Sequence, residues 1–234
     1  MYVDLAGKTL SAAAFAACVC FAAPGAAQTF DPPQGCDGVL TVQSRSCLVI
    51  HTWTCEADAP GEQWMALFTD RGPYNVRKID AEFQWLETHF ADPPAIEQMQ
   101  VPAPDPESIS VLLAEDHDTY DFTITNDRGT PDERVRGYDS LTGESVVIDG
   151  EPLLRTEFAY EVTLPDGTVQ YRGAGAQFLS ERHRLFLLGL SWSQDTPDEV
   201  NDASPVEFIY PGEPGFFSAR PKYDCGGVLS KAAR

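Results

Sequence analysis

The sequence predicts a mainly β fold: an antiparallel meander that forms a half-barrel, a barrel or a sandwich, with one short helix and a C-terminal tail tied by a disulfide. Most segments between turn signals alternate polar and apolar residues or are rich in β-branched and aromatic residues, as half-buried strands are. Turns that contain glycine separate these segments at short intervals. A cysteine, Cys225, stands near the C-terminus, far from the cysteines near the start.

The first elements are predicted to be strands. Residues 39 to 43 and 48 to 54 are apolar and β-branched, which predicts an antiparallel hairpin. Residues 64 to 68 are apolar on both faces, which indicates a covered strand. From residue 76 to residue 89, apolar side chains alternate with polar or charged ones, and this pattern predicts one long strand with one solvent-exposed face.

A linker and the helix follow. Residues 92 to 106 are rich in proline and acidic residues and are expected to form an exposed linker. The run Asp105-Pro106-Glu107 is typical of a helix start, so we expect one short helix that begins here and ends before Glu115.

Residues 119 to 194 carry the strongest fold signal. The predicted strands are residues 120 to 125, 134 to 139, 144 to 148, 153 to 164, 168 to 178 and 184 to 192. We expect the last of these to lie centrally, and Asp166-Gly167 to form a hairpin turn with positive φ at both positions. After an acidic loop, residues 206 to 210 are expected to form a last edge strand. Such a meander closes into a barrel or curls over a helix, because an open sheet leaves one apolar face uncovered.

The N-terminus is typical of a signal peptide. A charged start with Lys8 precedes an uncharged apolar stretch over residues 10 to 23, and Gly25-Ala26-Ala27 supplies the small residues of a cleavage site. We expect residues 1 to 27 to be removed and residues 28 to 234 to form a single β-rich domain in a bacterial periplasm. Lipidation of Cys18 and full secretion are the alternatives. No later segment is apolar enough to cross a membrane.

The formal net charge of −20 limits the partners. A charge of this sign repels nucleic acid phosphates and anionic membrane surfaces, so both are poor partners. The charge itself is typical of solubility or of a saline habitat and marks no site.

Four cysteines remain after the predicted cleavage, and an even number in an exported protein predicts two disulfides. Cys47 and Cys55 lie at the two ends of one predicted strand, roughly 26 Å apart, whereas bridged α-carbons lie within about 7 Å. The hairpin brings Cys36 opposite Cys55, so we predict the pairs Cys36 with Cys55 and Cys47 with Cys225. A zinc site is the alternative, although the four form no Cys-x-x-Cys pair.

Catalytic motifs are weak. Gly189-Leu190-Ser191-Trp192-Ser193 lacks the final glycine of a nucleophile elbow and falls inside a predicted strand. Glu115-Asp116-His117-Asp118 is dense in metal-ligand types, but it lacks calcium-hand spacing and is typical of a solvated turn. Four acids on predicted strands could face one another across a sheet: Asp80, Glu82, Glu157 and Glu161. We predict no metal site, and no cofactor, since no phosphate loop or dinucleotide motif is present.

The four histidines are scattered. Their spacings, at His51, His89, His117 and His183, do not match a local metal site.

The aromatic residues are the remaining candidates for a site. Those on predicted apolar faces are Trp53, Trp64, Phe83, Trp85, Phe158, Tyr160, Phe186 and Trp192. Aromatic side chains dominate ordinary cores, so the alternative is that they only stabilise the fold. If a ligand cavity exists, the predicted ligand-binding residues are Phe83, Trp85, Phe158, Tyr160 and Trp192.

Over residues 63 to 192, this order of elements resembles exported bacterial proteins with a curled antiparallel sheet and a short helix, such as the periplasmic lipoprotein-carrier family. Uncharacterised exported families share the same architecture, and a lipocalin-like barrel would give a similar pattern. The resemblance implies that acyl chains could be held against the concave face of the sheet. It rests on no diagnostic motif, so it assigns no functional residue.

The sequence therefore predicts a non-enzymatic periplasmic protein that binds a lipid-like, apolar or amphipathic ligand, or an envelope partner protein. One alternative is an exported hydrolase whose acid or His-acid site is assembled by the fold, with Asp80, Glu157 and His117 as its candidates. A second alternative is a structural envelope protein.

Overall fold

The computed structural model describes residues 29 to 226, which form thirteen strands and one helix. The elements in chain order are β1 (Cys36–Ser44), β2 (Leu48–Cys55), β3 (Gln63–Thr69), β4 (Gly72–Ile79), β5 (Trp85–Ala91), β6 (Pro94–Met99), α1 (Ile109–Glu115), β7 (His117–Asn126), β8 (Glu133–Ile148), β9 (Glu151–Thr163), β10 (Val169–Ser180), β11 (Leu185–Ser193), β12 (Thr196–Asp202) and β13 (Pro205–Ile209). The predicted signal peptide, residues 1 to 27, and Cys18 lie outside the described residues.

All the strands belong to one antiparallel sheet. Its order runs from β12 down to β1 without a crossover, and β13 pairs with the outer side of β1. The sheet is therefore a meander whose last strand returns to its first, and it is not closed into a barrel. The predicted mainly β meander with one short helix is confirmed.

Two of the predicted segments are wrong in the first half of the chain. The long strand over residues 76 to 89 is broken, because the Asp80 carboxylate accepts hydrogen bonds from the backbone N–H groups of Glu82 and Gln84 and turns the chain. Phe83 adopts a φ of 69° in this turn. The predicted linker over residues 92 to 106 contains the strand β6, whose proline stands at its first position.

The second half differs from the prediction in three places. The two strands predicted over residues 134 to 148 are one strand, β8, with a register shift between Leu141 and Ser145. The acidic loop after Gln194 forms the edge strand β12, whose almost wholly exposed residues carry no burial pattern. The strand β11, predicted to lie centrally, lies next to this edge. Residue periodicity did not predict β12, because an edge strand is held by backbone pairing and need not bury alternate side chains.

The turns also differ in detail. The turn with positive φ at both central positions is at Asp149 and Gly150, with φ values of 48° and 84°. At the predicted site only Gly167 has a positive φ, because the Asp166 side chain accepts a hydrogen bond from the Thr168 N–H and holds a different turn.

The helix α1 begins after Ser108, whose hydroxyl accepts a hydrogen bond from the Val111 N–H at 3.2 Å. Such a side-chain cap satisfies one of the free N–H groups at a helix start. Ile109 and Leu112 are fully buried and join the core on the concave face of the sheet. The helix ends one residue later than predicted, at Glu115.

The concave face of the sheet holds the main core. Its buried residues come from both ends of the sheet and from α1, and include Leu40, Ile79, Leu153 and Leu187. The Phe208 N–H of β13 donates to the Asp149 carboxylate at 2.8 Å, which ties the returning strand to the β8–β9 turn. The sheet is thus curled around its own concave side.

A second cluster lies on the convex side of β1 to β3. Phe30, before β1, and Phe217, in the tail, pack there against Trp53 and Phe68. Trp64 joins this cluster. These contacts cover the outer face of β3, which confirms the predicted covered strand.

Both predicted disulfides are present, Cys36–Cys55 and Cys47–Cys225. Cys36 and Cys55 are directly paired in the β1–β2 hairpin, as its predicted register requires. The zinc alternative is wrong, because disulfide bonds occupy all four sulfurs. Two disulfides indicate a protein that folds outside the cytoplasm. Within residues 29 to 226, no helix has the length and apolar character needed to cross a bilayer.

Candidate functional site

A cavity of about 290 Å³ lies on the concave side of the sheet, between the β4–β5 region and strands β7 to β11. All five predicted ligand-binding residues line it: Phe83, Trp85, Phe158, Tyr160 and Trp192. Phe186 lines it as well, whereas Trp53 and Trp64 belong to the convex cluster. The structure brings the five aromatic residues together, and their binding of a ligand stays a prediction.

The aromatic wall consists of rings in contact with one another. Phe83 and Phe186 meet edge to face with their centroids 5.1 Å apart, and Trp85 meets Phe122 at 5.9 Å. Tyr160 stacks on Phe158 at 6.1 Å. Such contacts add to the stability that burial of each ring provides, so the wall is preformed in the protein without a ligand.

Glycines opposite these rings keep the cavity open. Gly173 is paired with Tyr160 across β9 and β10, and a Cβ atom on Gly173 would lie 2.6 Å from the Tyr160 ring. Gly137 is paired with Tyr120 across β7 and β8, and a Cβ there would lie 2.6 Å from the Tyr120 hydroxyl. The tyrosine rings therefore lie over the strands, in space that a side chain at Gly173 or Gly137 would need.

The cavity opens beside β10 and β11. Tyr171 and Leu188 line it and are nevertheless 40% and 41% exposed. Ser191 and Trp192 stand on the same side and are half-buried. A ligand could enter between these residues without unfolding a strand.

Arg77 contributes the cation at the polar end of the cavity. Its guanidinium lies 3.9 Å from the centre of the Trp85 ring, and its Nε donates a hydrogen bond to the Thr88 hydroxyl at 2.9 Å. Burial lowers the pKa of Arg77 to about 10, so the side chain stays charged at neutral pH. The cation–π contact with Trp85 and the hydrogen bond to Thr88 together hold the Arg77 side chain against the aromatic wall.

Two buried carboxyl groups, Glu107 and Asp139, line the cavity together with Arg77, and these two residues are 6% and 2% exposed. Asp139 accepts a hydrogen bond from the Gln177 amide at 2.8 Å, whereas no hydrogen bond within residues 29 to 226 reaches the Glu107 carboxyl. Burial raises the pKa of Asp139 to about 7. Burial and the nearby Asp139 raise the pKa of Glu107 well above its usual range.

The acids meet because of strand register. Asp118 of β7 is directly paired with Asp139 of β8, and both side chains are buried. The Asp118 carboxylate accepts a hydrogen bond at 2.7 Å from the backbone N–H of Ser108, the residue that follows Glu107. Burial raises the pKa of Asp118 as well. Three carboxyl groups therefore converge beside the start of α1.

Sequence reasoning missed this polar end. One sequence signal was present. Asp118, Tyr120 and Phe122 occupy alternate positions and so lie on the same buried face of β7, where an acidic residue is unusual. Glu107 carried no such signal, since it precedes a helix and only the tertiary fold places it in the cavity.

The four acids predicted to face one another do not converge. Asp80 holds the β4–β5 turn, and Glu82 accepts hydrogen bonds from Ser108, Ser110 and Arg184. The remaining two side chains lie on the polar face of β9: Glu157 is exposed, and Glu161 pairs with Arg136 and Arg172. They have structural roles or are solvated.

The histidines are dispersed as well. His51 is fully buried in the convex cluster, where burial lowers its pKa to about 4. His117 shares a hydrogen bond of 2.7 Å with Ser140 on an exposed face, and His89 contacts Glu87. Within residues 29 to 226, no group of three or more histidine, cysteine or acidic side chains is arranged to hold a metal ion.

Comparison with protein-family models, curated proteins and solved structures found no match. A proposal for the function therefore rests on the cavity itself. The resemblance to the lipoprotein-carrier family stays a prediction.

Proposed function

We propose that this is an exported periplasmic protein that binds an amphipathic small molecule in the cavity of its curled sheet, without chemical turnover. The observation that carries the proposal is a preformed aromatic cavity that ends on a buried carboxyl group, Glu107, with no hydrogen-bond partner in the described chain. Small-molecule sites have this composition: mostly apolar walls with a few converging polar groups. The two disulfides support the exported location.

The volume of the cavity limits the ligand. A volume of about 290 Å³ is at the lower end of small-molecule sites. A single alkyl chain or a small ring system fits such a space, whereas a lipid with several acyl chains does not. The proposal therefore departs from the lipoprotein-carrier resemblance in the size of its ligand.

A second candidate function, an acid–base enzyme, is favoured by one specific observation. Glu107 and Asp139 are buried carboxyl groups with raised pKa values beside one another, as in sites where one acid donates a proton and another accepts it. Turnover of a glycoside or ester panel that disappears in both Glu107→Gln and Asp139→Asn would establish this function instead.

Native mass spectrometry of protein purified from an exporting host is the first test. We expect a bound mass of a few hundred daltons, the size that the cavity volume allows. A complementary measurement is the displacement of a fluorescent alkyl probe. Protein that is found empty and binds no such probe would overturn the proposal.

Trp192 provides the matched mutational test. Trp192→Ala removes a ring from the cavity wall and should weaken probe binding by about tenfold, because an aromatic contact with the probe contributes roughly 1–2 kcal/mol. The control is Tyr138→Ala, since Tyr138 is half-exposed and does not line this cavity. Equal binding by the two variants would place the probe elsewhere.

A further inference from the structure

We infer that the ligand is an organic cation, an ammonium group on an apolar body, with the ammonium between Glu107 and Asp139 and the body against the aromatic wall. This inference rests on the proposed function, because it names the class of ligand for the same cavity. Two observations carry it: the cavity lining holds more acid than base, and Glu107, a buried residue of that lining, accepts no hydrogen bond from the described chain.

The charge balance of the lining is uneven. Arg77 is its one base, and Glu107 and Asp139 are its two acids. One carboxylate can balance the guanidinium, and the second then needs a proton or another cation. A bare carboxylate is strongly disfavoured in a buried, poorly solvated place. An ammonium ion from a ligand would supply the missing positive charge.

The acids are also available to a ligand. Arg77 forms no ion pair within residues 29 to 226, since its guanidinium lies over Trp85 and its Nε is bonded to Thr88. The Glu107 oxygens accept no hydrogen bond from the described chain, and Asp139 accepts one, from Gln177. An ammonium group has up to three donors and could bond to both carboxylates.

The other titratable groups near the site do not offset the acids. Asp118, paired with Asp139 across β7 and β8, and Asp80, in the β4–β5 turn, both act on Glu107 as further negative charges. Tyr120 and Tyr160 line the cavity as neutral phenols, because burial raises the pKa of each. The negative face of an aromatic ring such as Phe158 attracts the positively polarised C–H groups next to an ammonium nitrogen.

Cation binding should be linked to proton release. In the empty cavity the acids hold protons more tightly than free carboxyl groups do, since burial raises the pKa of Asp139 to about 7 and also raises that of Glu107. An ammonium ion stabilises the ionised carboxylates and displaces a proton. Affinity for the cation should therefore rise as the pH increases through about 7, and affinity for a neutral ligand should not.

Isothermal titration of the full, oxidised protein with three probes of equal chain length tests the inference: octylammonium, 1-octanol and octanoate. At about pH 8 we expect octylammonium to bind at least about tenfold more tightly than octanol, and octanoate to bind most weakly, because the ionised carboxylates of Glu107 and Asp139 repel the octanoate carboxylate. The ammonium affinity should increase between about pH 6 and about pH 8, with proton release.

The variants Glu107→Gln and Asp139→Asn should each weaken octylammonium binding by about tenfold and leave octanol binding within about twofold. Glu157→Gln is the control, because Glu157 is an exposed acid outside this cavity. The wild-type probe series decides the inference even if a variant fails to fold.

The outcomes separate the inference from the proposed function. Octanol or octanoate binding as tightly as octylammonium would overturn the ammonium assignment and leave an amphipathic binding site. Binding of none of the three would contradict the proposed function along with the inference.

Discussion

The ring of Tyr160 lies over Gly173, its direct partner on the neighbouring strand, in the space that a side chain on Gly173 would need. The contact is a consequence of antiparallel register, in which paired residues on one face lie about 5 Å apart. The absence of a Cβ atom therefore determines where the ring lies and how much of the cavity stays open.

Gly173→Ala should force Tyr160 into the cavity. The added methyl would lie 2.6 Å from the ring, and such overpacking destabilises a protein by about 1–3 kcal/mol. We expect a lower urea midpoint together with weaker probe binding. Gly226→Ala is the matched control, because a Cβ on Gly226 would have no atom within 4 Å. The same small effect for both variants would show that the ring has room to move.

Asp139→Asn should remove a pH-dependent loss of stability. The folded-state pKa of about 7 is higher than the value near 3.9 of an unfolded aspartate, so the folded protein holds a proton that the unfolded chain has lost. The contribution of Asp139 is therefore full below about pH 4 and is lost as the pH rises through about 7. Asparagine keeps the shape and cannot ionise.

Urea unfolding over a pH series measures this effect. Between about pH 5 and about pH 8, the free energy of unfolding of Asp139→Asn should rise relative to wild type by roughly 1–3 kcal/mol. Asp198→Asn, on the exposed strand β12, should run parallel to wild type. A difference that stays constant with pH would refute the assigned protonation.

Removal of the long-range disulfide should be more destabilising than removal of the local one. Cys47–Cys225 closes a loop over a sequence separation of 178, and Cys36–Cys55 one of 19. Loop-closure entropy predicts losses of about 5 and about 3 kcal/mol for the respective serine pairs. Chemical denaturation of the two double variants measures both, and a reversed order would contradict the prediction.

Tyr210→Phe should destabilise the end of β13. The Tyr210 hydroxyl donates to the Glu151 carboxylate at 2.6 Å, and Glu151 is only 2% exposed. Loss of a donor to a buried carboxylate is destabilising by about 1–3 kcal/mol. Tyr74→Phe is the control, since Tyr74 is half-exposed and its contact is with the Phe90 ring. Equal urea midpoints for wild type and Tyr210→Phe would contradict a stabilising role of this hydrogen bond.

Local signals predicted much of the fold. Period-two alternation located most strands, and the spacing of Cys36, Cys47 and Cys55 was enough to predict both disulfides, since a strand cannot bring its own ends together. The same alternation placed Phe158 and Tyr160 on the inward face. Strand β12 was not predicted, because its exposed residues show no such alternation.

The polar end of the cavity could not be predicted in the same way. It depends on which strand pairs with which and in what register, as when Asp118 meets Asp139, and on a segment before α1 that carries Glu107. Neither the pairing nor the path of that segment is determined by neighbours in sequence. The glycines at 137 and 173 were visible, but their role depends on the rings across from them.

The return of β13 to β1 has a consequence for how the protein is made. A chain that crosses a membrane N-terminus first delivers β1 among its earliest strands, yet the second edge of β1 is completed only by β13. Until the last residues arrive, β1 carries open backbone groups and Cys47 remains a free thiol. The open edge of β1 and the Cys47 thiol are therefore exposed to mispairing until the C-terminal residues have folded onto β1.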